Sequence, residues 1–220
     1  IPAAVDALVA RAGRTEVSLA DLSKPTETLR RVFPDSTTQL ERKLAPVLIG
    51  PLVRLAQTAG TDVTSISEPL RTFRSLFSGQ SQEMERRVAE SLVESITGAA
   101  AANPSDVASL VVPLREFRAL LPAQANSIDE PLGNVLANGL RAKVTGDPKQ
   151  LVGLGGSIGE FRIMLPDRAV ELDRIVGAAA LDAIERDTRA DSGKLDTAAA
   201  RVEAFATVFP SRLDDARARL

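Results

Sequence analysis

The chain has 220 residues, of which 44% are hydrophobic and 25% charged, and its net charge is −2. This balance supplies enough apolar material for a core and gives no basic field for holding nucleic acid. The absence of Cys excludes disulfides and thiolate sites, and the absence of His removes the commonest general base and metal ligand. No run of apolar residues approaches the length of a transmembrane helix, so we expect no membrane span.

All seven phenylalanines, the only aromatic residues, fall into two columns with a period of 44 residues. The first column contains Leu29, Phe73, Phe117, Phe161 and Phe205. The second column contains Phe33, Phe77, Leu121, Leu165 and Phe209. A fixed period of about 40 to 47 residues is typical of two-helix solenoid units. The sequence therefore predicts an all-α fold, a right-handed α-solenoid built as a tandem array of two-helix repeats, with both columns in the structural core.

The columns also divide the chain into units. Residues 1–16 match the second half of a unit, and residues 193–220 begin a unit that is cut short. The complete units between them are 17–60, 61–104, 105–148 and 149–192. Because the array starts and stops in mid-pattern, we expect a fragment of a longer repeat protein. At its ends we expect exposed apolar residues, namely Ala4, Leu8, Val202 and Phe209.

Each unit contains two helical patterns. In the unit 61–104, the first helix has apolar residues at helical spacing, namely Val63, Ile66, Leu70, Phe73 and Phe77. The second helix has a similar stripe, namely Met84, Val88, Leu92 and Ile96. We expect helices of roughly 12 to 17 residues. The first helix should end before the prolines that follow the second column, namely Pro34, Pro122, Pro166 and Pro210.

Two further features recur with the same period. A proline lies inside the first helix, at Pro25, Pro69 and Pro113, and an acidic residue followed by Arg opens second helices, at Glu41-Arg42, Glu85-Arg86 and Asp173-Arg174. In these features the chain resembles HEAT-repeat proteins. It departs from their pattern at Ser157, Arg201 and Asp129-Glu130. The resemblance implies a curved solenoid used as a binding scaffold, and it implies no substrate.

A basic column is the most suggestive polar feature of the sequence. It contains Arg30, Arg74, Arg118 and Arg162, each one residue after the first core column. An acidic column follows it, with Glu41, Glu85, Asp129 and Asp173. The arginines could form an interaction stripe for a repetitive anionic partner. The structural interpretation is favoured, because each Arg lies in the last turn of one helix and each acid in the first turn of the next, where they suit the helix dipoles and can pair.

A glycine cluster and several acidic pairs are the other candidate binding sites in the sequence. The glycines Gly153, Gly155, Gly156 and Gly159 lack the spacing and the preceding strand of a phosphate-binding loop, so a tight helix crossing is the favoured interpretation. Acidic pairs such as Asp214-Asp215, Glu171 with Asp173, and Asp182 with Glu185 lack the spacing of a calcium loop and are expected on solvated helix faces.

These observations predict a non-enzymatic structural or protein-interaction scaffold, with no catalytic residue, cofactor or metal. It would bind a protein partner or associate with itself. The alternative is a carrier of a fatty or other apolar ligand held between helices, because small residues in Gly153–Gly159 and Gly177–Ala180 could leave space for one. The sequence indicates neither the partner nor the compartment.

Overall fold

The computed structural model describes residues 2–12, 19–190 and 195–219. Across these ranges the fold is all-α, with helices and turns and no β-strand. The α-helices in these ranges are α1 Pro2–Ala12, α2 Leu19–Val32, α3 Thr37–Ala59, α4 Ser67–Leu76, α5 Ser81–Ala102, α6 Val111–Leu120, α7 Asp129–Gly146, α8 Leu151–Met164, α9 Ala169–Ala190, α10 Leu195–Val208 and α11 Leu213–Arg219. The predicted boundaries after residues 16 and 192 lie outside the described residues.

The chain divides into two compact units. The first comprises Ile1–Ile96 with Pro113–Ala125, and the second comprises Thr97–Val112 with Asn126–Leu220. Inside the first unit, α1 packs against α3 and α2 packs against α4. Inside the second unit, α7 packs against α9 and α8 packs against α10. In both units, therefore, a helix packs against the helix after next along the chain.

A short 3₁₀ turn joins each of the helices α2, α4, α6, α8 and α10 to the helix that follows it. The five turns begin 44 residues apart, at Pro34–Ser36, Ser78–Gln80, Pro122–Gln124, Pro166–Arg168 and Pro210–Arg212. The second-column residue just before each turn leaves the helical conformation, with φ of −138° and ψ of 59° at Phe77. Proline disfavours helical geometry in the residue before it, which explains four of these ends. The remaining turn, Ser78–Gln80, begins at the equivalent position without a proline.

Two of the three prolines within the first helices, Pro69 and Pro113, lie where they cost few hydrogen bonds, whereas Pro25 is the seventh residue of α2. Pro69 and Pro113 are the third residues of α4 and α6, and the first four N–H groups of a helix have no partner within it. A 3₁₀ turn precedes each of these helices, at Val63–Ile66 and Val107–Leu110. Ser157 replaces the proline in α8, and that helix is α-helical from Leu151 onward.

Most members of the two aromatic columns are buried. In the first unit Phe73, Phe77, Phe117 and Leu121 are 0% exposed. In the second unit Phe161 and Leu165 are 1% exposed, and Phe205 and Phe209 are 0% exposed. Leu29 of α2 and Phe33, the residue directly after α2, are only half-buried. These two are less covered because α1 packs mainly against α3, which leaves one side of α2 with fewer neighbours.

Two expectations about the helices are wrong. Leu8 and Phe209 were expected to be exposed, yet Leu8 is 6% exposed because α1 packs against α3, and Phe209 is 0% exposed. The second helices are longer than 17 residues, with 23 in α3 and 22 in α5. Buried alanines extend their apolar stripes by a further turn, at Ala56 and Ala100, and alanine is the strongest helix former.

Candidate functional site

Three members of the arginine column pair with the acidic residue 11 positions later. Arg30 Nη2 lies 2.5 Å from Glu41 Oε1, Arg74 Nε lies 2.7 Å from Glu85 Oε1, and Arg162 Nη2 lies 2.7 Å from Asp173 Oδ1. Each pair joins the last turn of a shorter helix to the fifth residue of the longer helix after it, so the expectation that these acids lie in the first turn is wrong for Glu41, Glu85 and Asp173. The arginine side chains are only 23 to 33% exposed, so solvent screens these pairs less than ordinary surface pairs.

The same guanidinium groups make a second contact, to a backbone carbonyl 46 residues later. Arg74 Nη2 donates to Leu120 O at 2.8 Å, Arg162 Nη2 donates to Val208 O at 2.8 Å, and Arg30 Nη2 donates to Leu76 O. These carbonyls belong to the last residues of α6, α10 and α4. The final carbonyls of a helix lack partners within it and carry partial negative charge. Each arginine therefore also caps the next shorter helix.

Two of these arginines also lie against an aromatic ring. The guanidinium carbon of Arg30 is 5.8 Å from the Phe77 ring centroid, and that of Arg162 is 5.5 Å from the Phe209 centroid. Both distances are within the range of cation–π attraction. The guanidinium groups of Arg30 and Arg162 thus make these contacts within the fold. Arg118 and Asp129 occupy the same phases of the sequence.

The glycine cluster lies within a helix. Gly153, Gly155, Gly156 and Gly159 are all part of α8, where the residues run continuously from Leu151 to Met164. A Cβ atom on Gly155 would lie 3.4 Å from Val208 Cγ2, so this glycine faces α10 in van der Waals contact. A groove of about 230 Å³ lies beside it, lined by Val152, Gly155, Arg162, Ala204, Thr207 and Val208. Gly155 therefore lies at a helix contact, whereas Gly153, Gly156 and Gly159 have no atom within 4 Å of an added Cβ, and the cluster does not form a phosphate-binding loop.

The space beside Gly177, the first of the second group of small residues, is filled. A Cβ atom on Gly177 would lie 3.0 Å from Arg212 Nη1 and 3.5 Å from Phe209 Cδ1. Arg212 Nη1 also donates to the carbonyl of Asp173 at 3.2 Å. Gly177 thus admits the side chain of Arg212, the last residue of the 3₁₀ turn Pro210–Arg212, and the space beside Gly177 is occupied.

The acidic residues that the sequence offers as candidate cation ligands form ion pairs with arginines. Asp215 lies 3.0 Å from Arg212, and Asp182 lies 2.6 Å from Arg219. Arg174 donates to Glu171 from two nitrogens, at 2.9 and 2.6 Å, and this hydrogen bonding lowers the pKa of the Glu171 carboxyl. Within the described ranges no three His, Cys, Asp or Glu side chains gather as a metal site would require. None of the helices in these ranges combines the length and the apolar character needed to cross a bilayer.

A basic groove between α7 and α9 was not identified from the sequence. It has a volume of about 440 Å³ and lies within the second unit. Its basic residues are Arg141 of α7 with Arg174 and Arg186 of α9, and all three are exposed. Its apolar part is half-buried and consists of Ile175, Ala178 and Ala179. Guanidinium groups around an apolar surface can bind a carboxylate that carries an apolar neighbour.

Comparison with known proteins adds no assignment, because no family model, curated protein or solved structure matches this chain. The likeness to HEAT-repeat proteins therefore stays a prediction from the sequence.

Proposed function

We propose that this chain is a non-enzymatic scaffold, structural or protein-binding, built as a right-handed α-solenoid of tandem two-helix units. The observation that carries the proposal is the repeated use of one arginine position. Arg30, Arg74 and Arg162 each bind an acid in their own hairpin and the end of the next shorter helix. In these three cases the arginine joins a hairpin to its successor within one compact unit, as stacking of repeats requires.

Contacts between the second helices of successive predicted repeats support the same arrangement. In the first unit, Ser91 Oγ of α5 donates to Val53 O of α3 at 3.3 Å, and Lys43 Nζ of α3 lies 2.7 Å from Asp6 Oδ1 of α1. In the second unit, Arg219 of α11 lies 2.6 Å from Asp182 of α9. The second helices of the predicted repeats thus contact second helices, and the first helices contact first helices, in each unit. This is the neighbour pattern of stacked hairpins.

A deletion of one full period tests the proposal. Removal of residues 105–148 joins Pro104 to Lys149 and keeps every later residue in phase. Because repeats depend mainly on their neighbours, we expect this variant to remain helical by circular dichroism, to unfold cooperatively and to show a smaller radius of gyration in solution scattering. The control removes residues 105–126, half a period, and should fail to fold. If the two deletions fail alike, the chain is not a modular array.

The apolar carrier remains the second candidate, and the groove beside Gly155 is the observation in its favour. Val152, Ala204 and Val208 give this groove an apolar lining next to Arg162. Protein purified without detergent and examined by native mass spectrometry should show the mass of the chain alone if the scaffold proposal is correct. A stoichiometric fatty acid, lost in a Gly155→Leu variant that fills the groove, would establish the carrier instead.

A further inference from the structure

We propose that the basic groove between α7 and α9 binds an acidic segment of a partner polypeptide, through Arg141, Arg174 and Arg186. The inference rests on the proposed scaffold function, because that function is what makes a polypeptide the expected occupant. It goes beyond that function by naming the surface and the chemistry of the partner.

The charge of the groove is the first argument. Its lining contains three arginines and one carboxylate, Asp182, which is bonded to Arg219 at 2.6 Å. Among the described residues, Arg141 and Arg186 form no ion pair. Eleven other arginines have a carboxylate partner within the described residues, so two exposed guanidinium groups in one groove form a local site of uncompensated positive charge. Such a site attracts carboxylates and orients them.

The second argument is an internal comparison between α9 and α5. Arg86 of α5 lies two periods before Arg174 and is held by two carboxylates, Glu83 at 2.9 Å and Glu90 at 2.5 Å. In α9 the counterpart of Glu83 is Glu171, but the counterpart of Glu90 is Ala178. The carboxylate that would fill the groove from within the chain is therefore missing, and a small apolar side chain stands in its place.

The third argument is the fit of the occupant. The exposed arginines surround the half-buried side chains of Ile175, Ala178 and Ala179, so an occupant must present acidic groups beside an apolar one. A peptide with Glu or Asp next to Leu meets both demands, and Arg forks bind carboxylates in the two-point geometry that Arg174 and Glu171 already show. A nucleotide base would find no aromatic side chain here, since none is among the lining residues.

The experiment uses fluorescence anisotropy with the 220-residue chain. The probe is a labelled peptide of about 16 residues that repeats Glu-Glu-Leu-Ala, measured at about 50 mM salt so that screening is weak. We expect saturable binding, and we expect Arg141→Gln with Arg186→Gln to weaken it by about tenfold or more. A peptide with Gln in place of Glu should not bind. Ala178→Glu should also abolish binding, because its carboxylate can reach Arg174 as Glu90 reaches Arg86.

Matched controls make the result decisive. Arg54→Gln with Arg87→Gln removes the same charge from exposed positions on the other longer helices, α3 and α5, and should change affinity by less than about twofold. Equal weakening by both double variants would overturn the site in favour of diffuse electrostatics. Absence of binding, or equal binding of the Gln peptide, would also overturn it, as would tighter binding of inorganic tripolyphosphate than of the peptide. None of these failures alters the outcome of the deletion test, so the two proposals are judged separately.

Discussion

Arg74 donates from Nη2 to the carbonyl oxygen of Leu120, 46 residues further along the chain, at 2.8 Å. Its Nε donates to Glu85 at 2.7 Å. One half-buried guanidinium therefore connects α4, which carries it, to the start of α5 and to the end of α6. Two acceptors, one a carboxylate and one a helix-terminal carbonyl, depend on this single side chain, so its loss leaves both less satisfied.

We first predict that Arg74→Gln lowers the free energy of unfolding by about 1 to 2 kcal/mol, because hydrogen bonds to charged groups contribute more than neutral ones and solvent screens part of the effect. Chemical denaturation measures the change. The control is Arg71→Gln on the same helix, whose pair with Glu68 is 76% and 73% exposed. That change should cost at most about 0.5 kcal/mol. Equal effects of the two substitutions would show that the Leu120 contact does not stabilise the fold.

The sequence predicts the helix ends well because their cause is local. Proline disfavours helical geometry in the residue before it, and Pro34, Pro122, Pro166 and Pro210 directly follow the residues at which four helices end. Periodicity in large side chains finds the apolar faces, but it underestimates α3 and α5, where alanines continue the face without an obvious apolar signal. The half-buried state of Phe33 depends on which helix α1 covers, and no local pattern specifies that choice.

The polar contacts are predictable only in part. The pairing of Arg74 with Glu85 could be anticipated, because both belong to columns of opposite charge at adjacent helix ends. The bond to Leu120 could not, since a backbone carbonyl has no sequence signature. One feature of the sequence relates to the basic groove: Ala178 occupies the position at which Glu90 stands two periods earlier. This replacement indicates a groove only once α7 is known to lie beside α9.

We next predict that Phe117→Ala destabilises the protein by about 3 to 5 kcal/mol, the range for truncation of a buried phenylalanine. Phe117 is 0% exposed, so the substitution removes its buried surface and leaves a cavity. Thermal and denaturant unfolding measure the loss. Ile163→Ala is the control, because Ile163 is 77% exposed and its truncation should change stability by less than about 0.5 kcal/mol. A Phe117→Ala variant that melts within about a degree of the parent would contradict the core assignment.

A third prediction concerns the dependence of stability on pH. Hydrogen bonding from Arg174 lowers the pKa of Glu171 below its ordinary value of 4.5, against an opposing contribution from burial. A carboxyl with a lowered folded-state pKa stabilises the fold above the unfolded pKa, and this contribution is lost as the pH falls through the folded pKa. Glu171→Gln should therefore be less stable than the parent near neutral pH, and the difference should vanish in acid. Because the group is exposed, the effect should be small; a difference that grows below pH 4.5 would contradict it.

The last prediction concerns the contact between Gly139 of α7 and Pro104, both in the second unit. A Cβ atom on Gly139 would lie 2.3 Å from Pro104 Cβ and 2.6 Å from its Cγ, closer than carbon atoms approach, so the helix or the proline ring must shift. We expect Gly139→Ala to destabilise the protein by about 1 to 3 kcal/mol through overpacking, although alanine favours a helix by about 1 kcal/mol. Gly153→Ala in α8 is the control. No atom lies within 4 Å of its added Cβ, so only the helix preference remains and stability should rise. If Gly139→Ala is also stabilising, the close approach of Pro104 to α7 does not exist in solution.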